Sequence, residues 1–244
     1  MNTSVPGQSS FDSTRWTLVL RAKGDDLTPA QTARIRREAL GKLIETYWKP
    51  LYCFLRRKGH AKPDAEDLTQ SFFATFLEKD FLKSVDRDKG RFRTFLLVAL
   101  EHFISNEYDK ARAQKRGGML RVLSLDFDDA ERRYVTEPSS NETPEKLYLR
   151  KWTRTLTQQV MDQLQDEFKK SDKAELFAAI QPHLAGGEDY ASLAEKLNMS
   201  VSNVKVTVHR ARNRYRELLR QSVRDTVESD AQVDAELWEL INAL

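Results

Sequence analysis

Along this chain apolar residues recur at steps of three and four, and strand-like alternation is scarce, so helices are predicted through most of its length. A short helix is expected within Ser13 to Ala22. A long one follows with Ile35, Ala39, Leu43, Tyr47, Leu51 and Phe54 on one side. Pro50 is expected to kink or divide it, and Gly59 to stop it. The next helix opens at "PDAEDL" and carries Leu68, Phe72, Phe73, Phe76 and Leu77. A third runs from about Phe92, with Phe95, Leu96, Ala99, Phe103 and Ile104 on its apolar side, and ends in the basic stretch "YDKARAQKRGG".

From Gly117 to about Thr143 the periodicity fades; "SLDFDDAE" is acidic and "TEPSSNETP" has linker composition. Thr143 then reads as an N-cap with Pro144 at the first helical position. The helix behind it carries Leu149, Trp152, Leu156, Val160, Leu164 and Phe168, and a shorter one spans "AELFAAIQPHL". The expected organisation is all-α: an extension with a short helix (1–30), a first helical domain (31–116), a flexible linker (117–143), a second helical domain (144–222) and an amphipathic extension (223–244). Val233, Leu237, Leu240 and Ile241 line that extension, which either docks on the second domain or offers a regulatory surface.

The segment "SVSNVKVTVHRARNRYRELLR", Ser200 to Arg220, combines two patterns. Val201, Val204, Val208, Ala211, Tyr215 and Leu218 form a helical stripe, while Lys205, Arg210, Arg212, Arg214, Arg216 and Arg220 face one acid, Glu217. Just before it, Tyr190, Leu193, Ala194 and Leu197 form a short amphipathic helix, and Asn198 suits a left-handed turn. Short helix, tight turn and second helix make a helix-turn-helix plan, with Ser200 as a cap. On a helical wheel Ser202, Val206, His209 and Asn213 lie opposite Val204 and Ala211. Entering a major groove N-terminus first, such a helix brings Ser202, Asn203, Lys205, Val206 and His209 to base edges, and Arg210 and the other arginines nearer phosphates. An exposed Val206 gains little in water but matches a thymine methyl. The plainer reading is a solvated basic helix.

Composition narrows the class. The 244 residues are 40% hydrophobic, enough for real cores, and the net charge is only +3, so basic surface must be local. One cysteine, Cys53, excludes an intramolecular disulfide framework and fits a reducing compartment. No apolar run reaches membrane-span length, and the polar start "MNTSVPGQSS" lacks a signal peptide's core; a cytoplasmic protein without membrane insertion is expected. His60, His102, His183 and His209 are scattered, and no nucleotide-binding glycine loop or paired-carboxylate constellation stands out. Neither a metal, a cofactor nor catalysis is therefore expected.

"DAEDLTQSFFATFLEK", then "RFRTFLLVALEHFISNEYDKARAQKR", then the helix-turn-helix, in that order over roughly 35–220, resemble a bacterial RNA polymerase sigma factor of the extracytoplasmic-function type in the sigma-70 family. The resemblance implies transcription initiation: a first domain that binds core RNA polymerase and melts the minus-ten element, and a second that reads the minus-thirty-five element. It makes 31–116 region 2-like and 144–222 region 4-like. "DAEDLTQ" then supplies the polymerase contact through Asp64, Glu66, Asp67, Leu68 and Gln70, with the beta-prime clamp helices as partner. A helix start favoured by its dipole explains the acids equally well. Minus-ten DNA would meet Arg91, Arg93, Asn106, Lys110, Arg112, Lys115 and Arg116; cations hold single-strand phosphates and Asn106 can bond a base edge. Phe92 and Tyr108 are stacking platforms or core residues. The acidic linker either threads polymerase channels or is a solvated tether. Minus-thirty-five DNA would meet Ser202, Asn203, Lys205, Val206, His209 and Arg210. Promoter DNA and core RNA polymerase are the implied partners, and an anti-sigma or other regulatory protein is a further one. The longer stretch "DEFKKSDKAELFAAIQPHLAGGEDY" and the extension depart from the family's usual compact pattern. The competing readings are a helix-turn-helix regulator with an N-terminal sensing or dimerisation domain, and an enzyme acting on nucleic acid.

Overall fold

A computed structural model describes residues 29–78, 91–113, 124–136, 141–186, 189–224, 226–227 and 229–244. The short helix expected near Ser13 and the whole loop 79–90 before Arg91 lie outside them. Every regular element among the described residues is helical: α1 (Pro29–Arg57), α2 (Lys62–Glu78), α3 (Phe92–Ala113), α4 (Phe127–Val135), α5 (Pro144–Lys170), α6 (Ala174–Ile180), α7 (Tyr190–Leu197), α8 (Val201–Arg224) and α9 (Val233–Asn242). Short 3₁₀ turns, Gln181–His183 and Asp230–Gln232, extend α6 and precede α9.

Local sequence accounts for the helix ends. Gly59 takes φ +97°, where a side chain would be strained, and lets the Gly59 and His60 amides reach back to carbonyls of α1. Pro50 does not divide α1; it sits inside one 29-residue helix, buried beside Trp48 and Leu51, where tertiary packing outweighs the missing amide donor. Thr143 caps α5, its hydroxyl accepting from the Lys146 amide at 3.3 Å, with Pro144 in the first turn.

Helix α5 is the spine, because its apolar stripe serves two clusters in succession. Leu147, Tyr148, Trp152 and Leu156 enter a large core with Leu43, Tyr47 and Leu51 of α1, Phe72, Phe73 and Phe76 of α2, and Phe92, Leu96 and Leu100 of α3. Further along, Val160 and Leu164 pack with Phe177 of α6 and Leu218 of α8. The Tyr47 and Trp152 rings stack at 6.2 Å, and Phe92 meets Tyr47 edge-on at 5.5 Å. Trp152 is wholly buried, so truncating it to Ala costs about 3–5 kcal/mol.

Two expectations about organisation change. Within the stretch read as a linker, α4 is a nine-residue helix seated on α1. Phe127 lies 5.3 Å from the Trp48 ring and 5.4 Å from Tyr52, and Ala130 is buried beside it. The acids of the stretch find cations: Glu131 takes a two-pronged hydrogen bond from Arg56 and another from the Tyr52 hydroxyl, while Asp129 pairs with Lys49 and Asp128 with Lys62. Secondly, the last segment joins the first core as well as bracing α8. Val223, Val227, Val233 and Leu240 belong to the same cluster as α1, α2 and α3. The segment from Val223 onward thus shares one core with α1, α2 and α3.

Candidate nucleic-acid interface

Helix α7 ends at Asn198, which adopts φ 51°, ψ 46°; its amide and that of Met199 bond back to the last turn of α7. This left-handed residue reverses the chain so that α8 starts three residues later. Asp189 caps α7 through the Ser192 amide at 3.1 Å, and the Ser200 hydroxyl accepts from the Asn203 amide at 3.2 Å. Leu193 and Ala194 of α7 pack against Val204, Val208 and Ala211 of α8, with Ile180 beneath. Small Ala194 permits the close crossing.

With that stripe buried, the opposite side of α8 is left to solvent. Ser202, Asn203, Lys205, Val206, His209 and Arg210 are all exposed, and Val206 keeps 44% of its surface. Lys205 lies over the Tyr190 ring, 5.9 Å from its centroid, which orients the ammonium across the α7–α8 junction. His209 Nε2 is 3.0 Å from the Asn213 amide nitrogen, and Asn213 accepts from Arg216 at 3.0 Å, so these polar groups form one row along the helix. Arg212 and Arg214 differ. Arg212 donates to the His183 carbonyl at 2.7 Å. Arg214 grips Glu167 of α5 with two bonds, 2.9 and 2.8 Å, and also reaches Glu217. The Glu167 hydrogen bond is the largest influence holding the Arg214 guanidinium above its ordinary basicity.

The acidic start of α2 is a second exposed surface. Asp64 and Asp67 are exposed, and Glu66, Leu68 and Gln70 are half-buried. Leu68 leans on the large core. Glu66 stands 3.7 Å from Lys62, which also pairs with Asp128 of α4 at 2.6 Å, so α4 adds acids beside this surface. His60 is held below its ordinary pKa chiefly by burial, which favours the neutral ring.

The residues expected to meet minus-ten DNA separate. Asn106 is exposed on the far part of α3. Lys110 and Arg112 lie on α3, but their side chains are outside the described residues, as are Lys115 and Arg116 altogether. Arg91 and Arg93, expected to offer free charge, are instead bound to carboxylates of α9. Arg93 Nε is 2.7 Å from Glu236 and its Nη2 is 2.8 Å from Glu239; Arg91 Nε is 2.8 Å from Glu236, and Arg91 also bonds Glu239. Arg93 shares a helix face with buried Leu96 and Leu100, which draws its side chain inward over Trp152. Burial opposes the Arg93 charge, but hydrogen bonds and charge from Glu236 and Glu239 outweigh it and leave the group more basic than usual. Phe92 is wholly buried against Tyr47, a core residue rather than a stacking platform.

Glu236 and Glu239 were not singled out by sequence reasoning. A signal was present for Glu236, which lies three residues after Val233 and four before Leu240, on the apolar stripe of α9.

A cleft of about 650 Å³ opens between α1, α4 and α5, walled by Lys49, Arg133, Lys151 and Arg154 with Glu45. Lys49 and Arg133 both pair with Asp129 there. Among the described residues no group of three or more His, Cys, Asp or Glu is placed to hold a metal ion, and no helix is long and apolar enough to cross a membrane. No family model, curated protein or solved structure matches the chain.

Proposed function

We propose that the chain is a promoter-specificity subunit of bacterial RNA polymerase, of the extracytoplasmic-function sigma type, in which α7, its turn and α8 form a helix-turn-helix that reads the minus-thirty-five element. The observation that carries this reading is the exposed row on α8. Six residues of groove-reading chemistry share a face whose opposite side is locked to α7, so the helix presents a fixed surface. Ser202, Asn203 and His209 supply hydrogen bonds, Val206 an apolar contact and Lys205 a cation, while Arg210 and Arg216 serve phosphates.

The acidic start of α2 supplies the polymerase surface, with Asp64, Glu66, Asp67 and Gln70 facing a basic partner and Leu68 anchoring the helix. The beta-prime clamp helices are that partner on the family resemblance. Minus-ten DNA is served by the far end of α3 around Asn106, together with Lys110, Arg112, Lys115 and Arg116, and by Arg91 and Arg93 when these are uncovered. The activity is recognition and strand opening rather than catalysis by the chain itself.

Co-purification with core RNA polymerase tests the reading. The wild-type chain is expected to co-elute with core enzyme, and a Glu66→Lys/Asp67→Lys chain of unchanged circular dichroism to elute alone. A wild-type chain that binds duplex DNA but never core enzyme would favour the plain helix-turn-helix regulator.

A further inference from the structure

We infer that the last helix is an intramolecular latch: Glu236 and Glu239 of α9 occupy Arg91 and Arg93 at the start of α3, and single-stranded DNA phosphates compete with these carboxylates for the two arginines. This rests on the sigma-type reading above and names a control on its minus-ten surface.

The geometry makes the two occupants exclusive. Two arginines and two glutamates form a neutral quartet with three contacts between 2.7 and 2.8 Å and a fourth between Arg91 and Glu239. The Arg93 side chain is 8% exposed and Glu236 is fully covered, so no phosphate reaches Arg93 while α9 is seated. A phosphate offers a guanidinium the same forked acceptor geometry as a carboxylate, and can take its place. Further ties fasten α9 and the segment before it: the Phe92 amide donates to the Thr226 carbonyl at 3.3 Å, Arg224 pairs with Asp230 at 2.8 Å, and Arg220 pairs with Asp234.

The same fold makes α9 releasable. It has ten residues, below the length at which an isolated helix is stable, so it persists only by packing. The Arg220–Asp234 and Arg224–Asp230 pairs are exposed and weaken as salt rises. Trp238 and Ile241 stay 67% and 62% exposed, so only part of the helix's apolar surface holds it down. An element seated by Val233, Leu237, Leu240 and a set of charged contacts can be displaced by a polyanion that supplies replacement charge.

The test uses the full chain and a fluorescein-labelled single-stranded DNA of mixed sequence, titrated by anisotropy over a range of salt. Glu236→Gln/Glu239→Gln and the milder Glu239→Gln remove the competing charge. The double variant is expected to bind at least about tenfold more tightly. Its log affinity against log salt should steepen by about 1.4, two added phosphate contacts at roughly 0.7 each. In hydrogen exchange on the wild-type chain, saturating DNA should deprotect 233–242. If the double variant loses its helical circular dichroism, the single variant and the exchange measurement decide. Folded variants with unchanged affinity and slope, or α9 protection untouched by DNA, overturn the latch. Failure of the wild-type chain to join core polymerase would overturn the sigma-type reading and leave the oligonucleotide comparison intact.

Discussion

Arg93 and Glu236 stand 143 positions apart and meet at 2.7 Å, one at the start of α3 and the other on the last helix, both buried. A charge on an apolar stripe is costly unless an opposite charge meets it there. Each residue occupies such a position on its own helix, so each requires the other. Replacing Arg93 by Met leaves the buried Glu236 carboxylate with Arg91 as its one remaining cation in the quartet and is expected to cost up to about 3–5 kcal/mol in urea unfolding. Arg93→Met/Glu236→Leu should lose clearly less than the two single losses added together. Strict additivity would mean that the pair does not form in solution.

Phe127 tests whether the middle segment is docked. It sits between Trp48 and Tyr52, and Phe127→Ala is expected to destabilise the chain by about 3–5 kcal/mol, read as a lowered urea midpoint. A loss within about 0.5 kcal/mol, the usual range for a surface change, would make the segment a free tether.

Glu131 gives the docked segment a pH dependence. Hydrogen bonding from Arg56 is the largest influence pulling its carboxyl below the ordinary glutamate value of 4.5; burial opposes, and the Tyr52 hydroxyl and the Arg56 charge assist. A depressed folded-state pKa means that the stabilisation is complete above pH 4.5 and drains away as pH falls through the depressed value. Acid titration of Trp48 fluorescence should therefore show α4 loosening below that pH, and Glu131→Gln should flatten this part of the curve. An identical acid profile in the variant would remove Glu131 from the linkage.

Lys205 and Arg214 lie on one helix but are expected to behave differently. If α8 reads bases as proposed, Lys205→Ala should cost about 1–3 kcal/mol at one promoter position and relax preference there. Arg214→Ala breaks the two-bond grip on Glu167, so its effect should fall on stability, with the salt dependence of DNA binding unchanged. A panel of upstream-element variants at two salt concentrations separates them. Equal weakening on every sequence by Lys205→Ala would take Lys205 away from the bases.

The helices that build the α7–α8 surface were legible because stripe, cap and turn residue agreed locally: Val204, Val208 and Ala211 on one face, Ser200 at the start, Asn198 at the bend. The α4 helix was not read, although Phe127, Ala130 and Tyr134 keep helical spacing. Nine residues crowded with acids look like a loop until α1 supplies Lys49 and Arg56. The fate of Arg91 and Arg93 was hidden for a related reason. Local pattern tells which residues carry charge, but only the closed fold brings a partner from 143 positions away. Pro50 shows the reverse case, a local breaker that does not end α1 once the helix is packed in the core.

Chain-dependent transcription initiation tests the proposed function most directly. Core RNA polymerase is incubated with fragmented genomic DNA with and without the chain, and transcript 5′ ends are mapped. The expected result is a set of starts that appear only with the chain and share two upstream elements at constant spacing, the upstream one lost with Val206→Asp. Core enzyme that initiates with another specificity subunit but gains no start from this chain would contradict the sigma-type reading.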